Sequence, residues 1–124
     1  MPVLSLGGMR FQQSWSDLPA EQITDASQTN LLLTLQRAVD HGFHHVETAR
    51  HYGSSERQLG WALPDIPDPH RILQSKVPPR DDPKEFEDLL SLTFERLGRD
   101  RLELLAIHGN NQPRHLDLAL RSGG

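Results

Sequence analysis

Residues 43–63 read FHHVETARHYGSSERQLGWAL and predict one strand, one polar loop and one helix in succession. The strand covers 43–48 and the loop covers 49–54. Ser54 or Ser55 can then cap a helix that runs through Leu63, with Glu56 in the first turn, where the helix dipole favours a carboxylate. A strand followed by a helix is the repeating unit of α/β proteins, so this stretch decides the fold class.

The same unit recurs along the rest of the chain. Residues 3–6 predict a first strand that Gly7 and Gly8 close, and apolar spacing over 31–39 predicts a helix that stops at Gly42. Further elements are predicted as strands at 71–76 and 102–108, a helix at 83–97 capped by Asp81 or Asp82, and a last helix at 113–120. Connections of this length suit right-handed crossovers, so we predict an α/β fold with a parallel sheet.

Composition narrows the range of functions. The 13 Lys and Arg residues against 17 Asp and Glu give a net charge of −4 without a basic cluster, so no nucleic-acid partner is expected. The chain has no cysteine, which excludes disulfides and thiolate chemistry within it and fits a cytoplasmic protein. Residues 1–6 lack the pattern of a secretory signal, and the apolar runs fall far short of the ~18 residues of a membrane span. We therefore expect a soluble protein with no membrane partner.

Four polar residues lie at or just after the ends of predicted strands. They are Glu47, Tyr52, Lys76 and His108. The strand ends of a (β/α) barrel collect its catalytic groups, and parallel topology brings side chains from different strands to one rim. The placement therefore predicts that these four side chains lie together at one rim of the sheet.

The run from Glu47 to Glu56, followed by Leu59-Gly60, resembles the signature of the aldo-keto reductase family. That signature typically reads D-T-A-x-x-Y-G-x-S-E and then L-G. Further matches are Leu4-Ser5-Leu6-Gly7-Gly8-Met9 to the first strand and glycine turn, Ser75-Lys76 to the lysine strand, and 96–108 to the segment that leads to the histidine. A complete (β/α)8 barrel needs about 250 residues. The resemblance thus implies that 1–124 form the N-terminal half of a TIM-type barrel, four βα units, with the C-terminal half absent from this chain.

The resemblance implies NADPH-dependent reduction of a small aldehyde or ketone, or the reverse oxidation, with NADH as the other option for the cofactor. Tyr52 would be the general acid. A free tyrosine has a pKa near 10 and holds its proton firmly at neutrality, so a neighbouring cation is needed. Lys76 would supply this cation, Glu47 would hold the ammonium in place, and His108 would donate to the substrate carbonyl and orient it.

The resemblance also assigns cofactor and substrate contacts. Gly8, Met9, Arg10 and Glu47 would approach the nicotinamide ribose, and Trp15, in the loop after the first strand, would contact the substrate. Most of the cofactor site, including the contacts to the adenosine phosphate, would belong to the absent half. We therefore expect the chain alone to bind NADPH weakly and to be inactive. The unpaired edges of the first and fourth strands predict self-association.

One position departs from the family pattern. Glu47 stands where the family most often has Asp, and its longer side chain displaces the carboxylate by about one methylene, so the substrate range does not follow from the resemblance. Glu47, together with 118–121 and Gly123-Gly124, resembles a branch of the family with a C-terminal iron-sulfur segment. An iron-sulfur cluster is expected only if such a segment exists beyond this chain.

Each candidate residue also has a plain structural interpretation. These interpretations are a surface charge for Arg10, a rim aromatic for Trp15, a local cap or salt bridge for Glu47, a rim position for Tyr52, a solvated strand end for Lys76 and a hydrogen-bonded core position for His108. Two other functions stay open. A non-catalytic binding or regulatory protein would keep the same scaffold, and a metal-dependent hydrolase would use the histidines.

The density of histidines invites the metal interpretation. His44 and His45 are adjacent on a predicted strand, however, and must point to opposite faces of the sheet. They therefore cannot easily bind one ion together, and we predict no metal site.

Overall fold

The computed structural model describes residues 4–11 and 13–121. Val3, at which the predicted first strand begins, and Gly123-Gly124, which belong to the iron-sulfur resemblance, lie outside the described residues. Strands and helices alternate in the order β1 Leu6–Gly7, α1 Asp25–Asp40, β2 His45–Glu47, α2 Ser55–Ala62, β3 Ile72–Val77, α3 Pro83–Leu97, β4 Leu104–Ile107 and α4 Pro113–Leu120. Short 3-10 helices cover Gly8–Arg10, Ala20–Gln22 and Leu63–Asp65.

The four strands form one parallel sheet in chain order, which confirms the predicted α/β fold. Leu6 pairs with Val46 and Glu47 with Gln74. The pairing of β2 with β3 extends beyond the strand, because the backbone N–H of Arg50 donates to the carbonyl of Lys76 at 2.9 Å. All carboxyl ends of the strands therefore lie at one edge of the sheet, which is where parallel α/β sheets carry their sites.

The first strand differs from the prediction. Pairing begins only at Leu6 and includes Gly7, while Leu4 and Ser5 precede it unpaired and exposed. The chain then turns at Gly8, which lies so close to β2 that a Cβ at this position would come 2.7 Å from the backbone oxygen of Glu47. Close backbone approach, rather than the end of an apolar run, thus decides where β1 stops.

Local residues set both ends of α3, whereas α1 ends at Asp40, two residues before the predicted stop at Gly42. Asp82 caps α3 by accepting from the N–H of Lys84 at 2.9 Å, with Pro83 as the first helical residue. The helix ends at Gly98, which is left-handed with φ of 61°. At α2 Ser54 occupies the predicted N-cap position, but its hydroxyl donates to the side chain of Gln58 at 2.7 Å and accepts no backbone N–H of the helix.

The hydrophobic core lies between the helices and one face of the sheet. It is built from Leu31 and Leu35 of α1, Val46 of β2, Leu59 of α2, Leu73 of β3 and Leu97 of α3, all 0 or 1% exposed. Along β3 the buried residues Leu73, Ser75 and Val77 alternate with half-buried ones, so Lys76 points to the face opposite the helices. No helix in 4–11 or 13–121 is long and apolar enough to cross a membrane.

Candidate active site

Tyr52 is held by a tight turn between β2 and α2. Its N–H donates to the carbonyl of Ala49 at 3.0 Å, and its carbonyl accepts from the N–H of Ser55 at 2.9 Å. Gly53 follows with φ of 52°, and a Cβ there would overlap the backbone oxygen of Ser14. The turn that carries Tyr52 is therefore packed directly beneath the loop that follows β1.

Lys76 connects Tyr52 to Glu47 at the carboxyl end of the sheet. Its Nζ donates to the Tyr52 hydroxyl at 2.8 Å and to Glu47 Oε1, and it lies 4.8 Å from the centroid of the Tyr52 ring. Glu47 pairs in the sheet with Gln74, two residues before Lys76, so both side chains project from the same face. The structure thus brings together three of the four predicted strand-end residues in one hydrogen-bonded group.

The charge state of this group follows from its contacts. Burial on its own would lower the pKa of Lys76, but the hydrogen bonds to Glu47 and Tyr52 and the attraction of both groups outweigh it, so the pKa lies above its ordinary value. The side chain is therefore an ammonium at neutral pH. An ammonium beside a phenol oxygen stabilises the negative charge that appears on that oxygen when the proton leaves.

His108, just after β4, completes the set. Its ring lies edge-on to the Tyr52 ring, with centroids 5.4 Å apart and planes at 86°. No described residue hydrogen-bonds to its buried Nδ1. Burial, then the positive charge of Lys76 and of His51, lowers the pKa of His108, against a smaller opposing effect of Glu47. His108 is therefore a neutral imidazole at neutral pH, with one N–H to donate.

The 3-10 turn Gly8–Arg10 lies against the end of β2. Ser55 Oγ donates to the carbonyl of Gly8 at 2.9 Å and contacts Thr48 Oγ1 at 2.8 Å, which fixes the turn beside Glu47. The side chains of Met9 and Arg10 are exposed, and a Cβ on Gly7 would meet nothing within 4 Å. Open space beside a carboxylate and backbone carbonyls leaves room for a ligand with hydroxyl groups, such as a ribose.

Trp15 lies in the loop between β1 and α1, and 64% of the residue is exposed. The same loop holds a residue to which sequence analysis gave no role. Asp17 Oδ2 accepts from Arg50 at 2.9 Å and from Arg96 at 3.1 Å.

A second missed feature is a buried ion pair beneath the site. Arg50 donates to Glu56, which is fully buried and also accepts from Ser75 Oγ at 2.6 Å. Sequence analysis assigned Glu56 only to the dipole of α2 and gave Arg50 no role. The available signal was that Arg50 and Glu56, of opposite charge, lie on either side of Tyr52 in the segment that joins a strand to a helix. Charged side chains that become buried in such a segment need a partner of opposite charge.

The model of the aldo/keto reductase family matches residues 3–120. A thermostable aldo-keto reductase in complex with the inhibitor epalrestat is 25% identical, with a TM-score of 0.71 over 96% of this chain and 44% of that one. A putative aldo-keto reductase from Pseudomonas aeruginosa is 27% identical, with a TM-score of 0.68 over 95% of this chain and 46% of that one. No curated protein sequence matches the chain.

A third solved structure is similar in fold alone. It is an aldo-keto reductase from Klebsiella pneumoniae in complex with NADPH, 22% identical, with a TM-score of 0.66 over 86% of this chain and 35% of that one. The chain thus spans less than half the length of the three solved structures.

The chain belongs to the aldo/keto reductase family. Its parallel four-stranded sheet with alternating helices resembles the first half of an aldo-keto reductase TIM barrel, which confirms the resemblance seen in the sequence.

Proposed function

We propose that this chain supplies the catalytic residues of an NADPH-dependent oxidoreductase that reduces a small aldehyde or ketone. The observation that carries the proposal is the ammonium of Lys76, which donates to the Tyr52 hydroxyl at 2.8 Å while Glu47 holds it from the other side. Family membership supports an oxidoreductase, and the relative that contains NADPH supports a nicotinamide cofactor.

In this proposal Tyr52 is the general acid. Its hydroxyl donates to the carbonyl oxygen of the substrate and transfers its proton there, and the N–H of Lys76 stabilises the charge that develops on the phenol oxygen. His108 donates its one N–H to the same carbonyl oxygen and orients the substrate against Tyr52. A reduced nicotinamide, when bound, supplies the hydride that the carbonyl carbon accepts.

Gly8, Met9 and Arg10, with Glu47, would hold the nicotinamide ribose in the open space at the end of β1. Trp15 would contact the substrate from the loop above. An iron-sulfur cluster would need ligands beyond this chain, since thiolates are its usual ligands and the 124 residues contain no cysteine.

The chain alone is expected to bind NADPH weakly and to be inactive, because the adenosine phosphate contacts would belong to a further half barrel. Titration of NADPH followed by its fluorescence measures this affinity. Reduced nicotinamide mononucleotide is the matched control: we expect it to bind about as weakly as NADPH, since the adenosine half finds no partner here. Micromolar binding of NADPH, with much weaker binding of the mononucleotide, would contradict this expectation.

We further propose that the chain associates with itself through its open sheet edges. In the described sheet β1 and β4 each have one neighbour, and Leu105 of β4 is 44% exposed. Edge strands with unpaired backbone groups attract other strands. Light scattering should give a mass of at least two chains, and Leu105→Lys should lower it. A stable monomer at high concentration would count against the proposal.

The direct test of the function is carbonyl reduction by a complete version of the barrel and its loss on Tyr52→Phe. A non-catalytic binding or regulatory protein on this scaffold is the alternative, and it predicts no turnover in either protein.

A further inference from the structure

The loop between β1 and α1 is fixed by one carboxylate that two arginines share. Asp17 Oδ2 lies 2.9 Å from an Arg50 nitrogen and 3.1 Å from an Arg96 nitrogen. The exposed fraction is 32% for the Asp17 side chain, 4% for Arg50 and 14% for Arg96. The carboxylate thus connects three separate segments: its own loop, the loop that carries Tyr52, and α3.

The Arg50 end of this connection is anchored in the catalytic part of the sheet. The Arg50 guanidinium also donates to the fully buried Glu56, and Glu56 accepts from Ser75, the residue before Lys76. The backbone N–H of Arg50 donates to the carbonyl of Lys76 itself. Asp17 is therefore attached to the same framework that positions Lys76.

This buried network is better explained by geometry than by stability. Taking ions out of water is costly, so a buried ion pair adds little net stability compared with apolar packing. Burial indeed raises the pKa of Glu56, and the charge of Arg50 opposes that effect. What a guanidinium provides is direction, because its planar fork fixes the orientation of both carboxylates.

A second contact fixes the loop on the other side of Trp15. The Ser14 backbone oxygen lies so close to Gly53 that no Cβ fits between them, and Gly53 directly follows Tyr52. Trp15 thus lies between two anchored residues, Ser14 and Asp17, while 64% of the residue is exposed. The ring is held at the rim of the site by its backbone, without being packed into the core.

We propose that Asp17 is a positioning residue that sets the substrate-facing wall of the site. Through Arg50 it holds the loop over Tyr52, so that Trp15 is presented to a bound carbonyl compound as a fixed apolar surface. The inference rests on the proposed function for the identity of the substrate, but the fixing of the loop is a property of the chain itself.

The first test needs no activity. The chain has two tryptophans, so Trp61→Phe leaves Trp15 as the single reporter. In that background Asp17→Asn should lower the fluorescence anisotropy of Trp15, because the neutral amide loses both charged contacts. Asp88→Asn, which removes an equally acidic residue from the exposed Lys84 pair, should not change it. Asp17→Glu should restore most of the anisotropy. Far-ultraviolet circular dichroism must be the same in all variants, and equal anisotropy in the Asp17→Asn and Asp88→Asn proteins would overturn the proposal.

The second test separates positioning from a purely structural role. In a complete version of the barrel that reduces a bulky aldehyde, Asp17→Asn should raise KM several-fold and leave kcat nearly unchanged. The wall is loosened, but Arg50 keeps its bonds to Glu56 and to the carbonyl of Lys76, so Tyr52 and Lys76 stay in place. A several-fold fall in kcat with an unchanged KM would overturn the proposal. If the complete barrel shows no turnover at all, the proposed function fails, while the anisotropy result still decides whether Asp17 fixes the loop.

Discussion

Tyr52→Phe is expected to lower kcat for carbonyl reduction by about 10²–10⁴-fold in a polypeptide that joins this chain to a further half barrel, which is the range that general acid catalysis contributes. The substitution removes only the hydroxyl that Lys76 contacts at 2.8 Å. The ring, its edge-on contact with His108 and the turn at Gly53 are all compatible with Phe. Binding of the nucleotide should therefore persist while proton transfer is lost.

The measurement is the steady-state oxidation of NADPH with an aldehyde substrate, together with the nucleotide affinity from fluorescence titration. Tyr52 is the only tyrosine of the chain, so the loss of tyrosine absorbance in the isolated chain verifies the variant directly. An unchanged kcat in the Phe variant would contradict the assignment of Tyr52 as the acid. Loss of nucleotide binding together with kcat would assign the effect to the site as a whole instead.

Lys76→Met is expected to lower kcat by about 10²–10³-fold, the usual cost of removing one donor from a developing oxyanion. The change removes the hydrogen bond to the Tyr52 hydroxyl and leaves Glu47 without its cation. Met keeps the length and apolar character of the lysine stem, so packing along β3 should be retained.

Lys84→Met is the matched control, because Lys84 forms an exposed pair with Asp88 on α3 and should be replaceable without effect on kcat. A second readout is the titration of His108 by NMR. After burial, the charge of Lys76 is the largest cause that lowers the pKa of His108, so this pKa should rise in the Met variant. If His108 titrates with the same pKa in Lys76→Met as in Lys84→Met, or if Lys76→Met keeps full activity, Lys76 does not act on this site.

The elements that could be predicted from the sequence are those whose own side chains decide them. The last helix begins at Pro113 and ends at Leu120, as its apolar spacing and its first proline indicate. The first strand could not be predicted correctly, because it is two residues long and ends where Gly8 meets the backbone of Glu47. That contact joins segments about 40 residues apart, and no local pattern carries it.

The candidate site divides in the same way. Periodicity places Glu47, Lys76 and His108 at or next to strand ends that the structure puts at Glu47, Val77 and Ile107. The parallel order then brings these side chains to one rim, where Lys76 hydrogen-bonds to Glu47 and Tyr52. The contact between Arg50 and Asp17 could not be predicted, since Asp17 lies 33 residues earlier in an irregular loop. The buried ion pair of Glu56 with Arg50 was also missed, because the dipole of α2 already accounts for a carboxylate in the first turn.

The alternation along β3 has a practical consequence for protein engineering. Ser75 faces the helices and bonds to Glu56, whereas its neighbours Gln74 and Lys76 face the other side of the sheet. Under the proposed function, a library that seeks altered substrate preference can therefore randomise Gln74, which shares the face of Lys76, without touching the ionic framework. Changes at Ser75 would instead remove the hydrogen bond to the buried Glu56 carboxylate and so disturb the ion pair beneath the site.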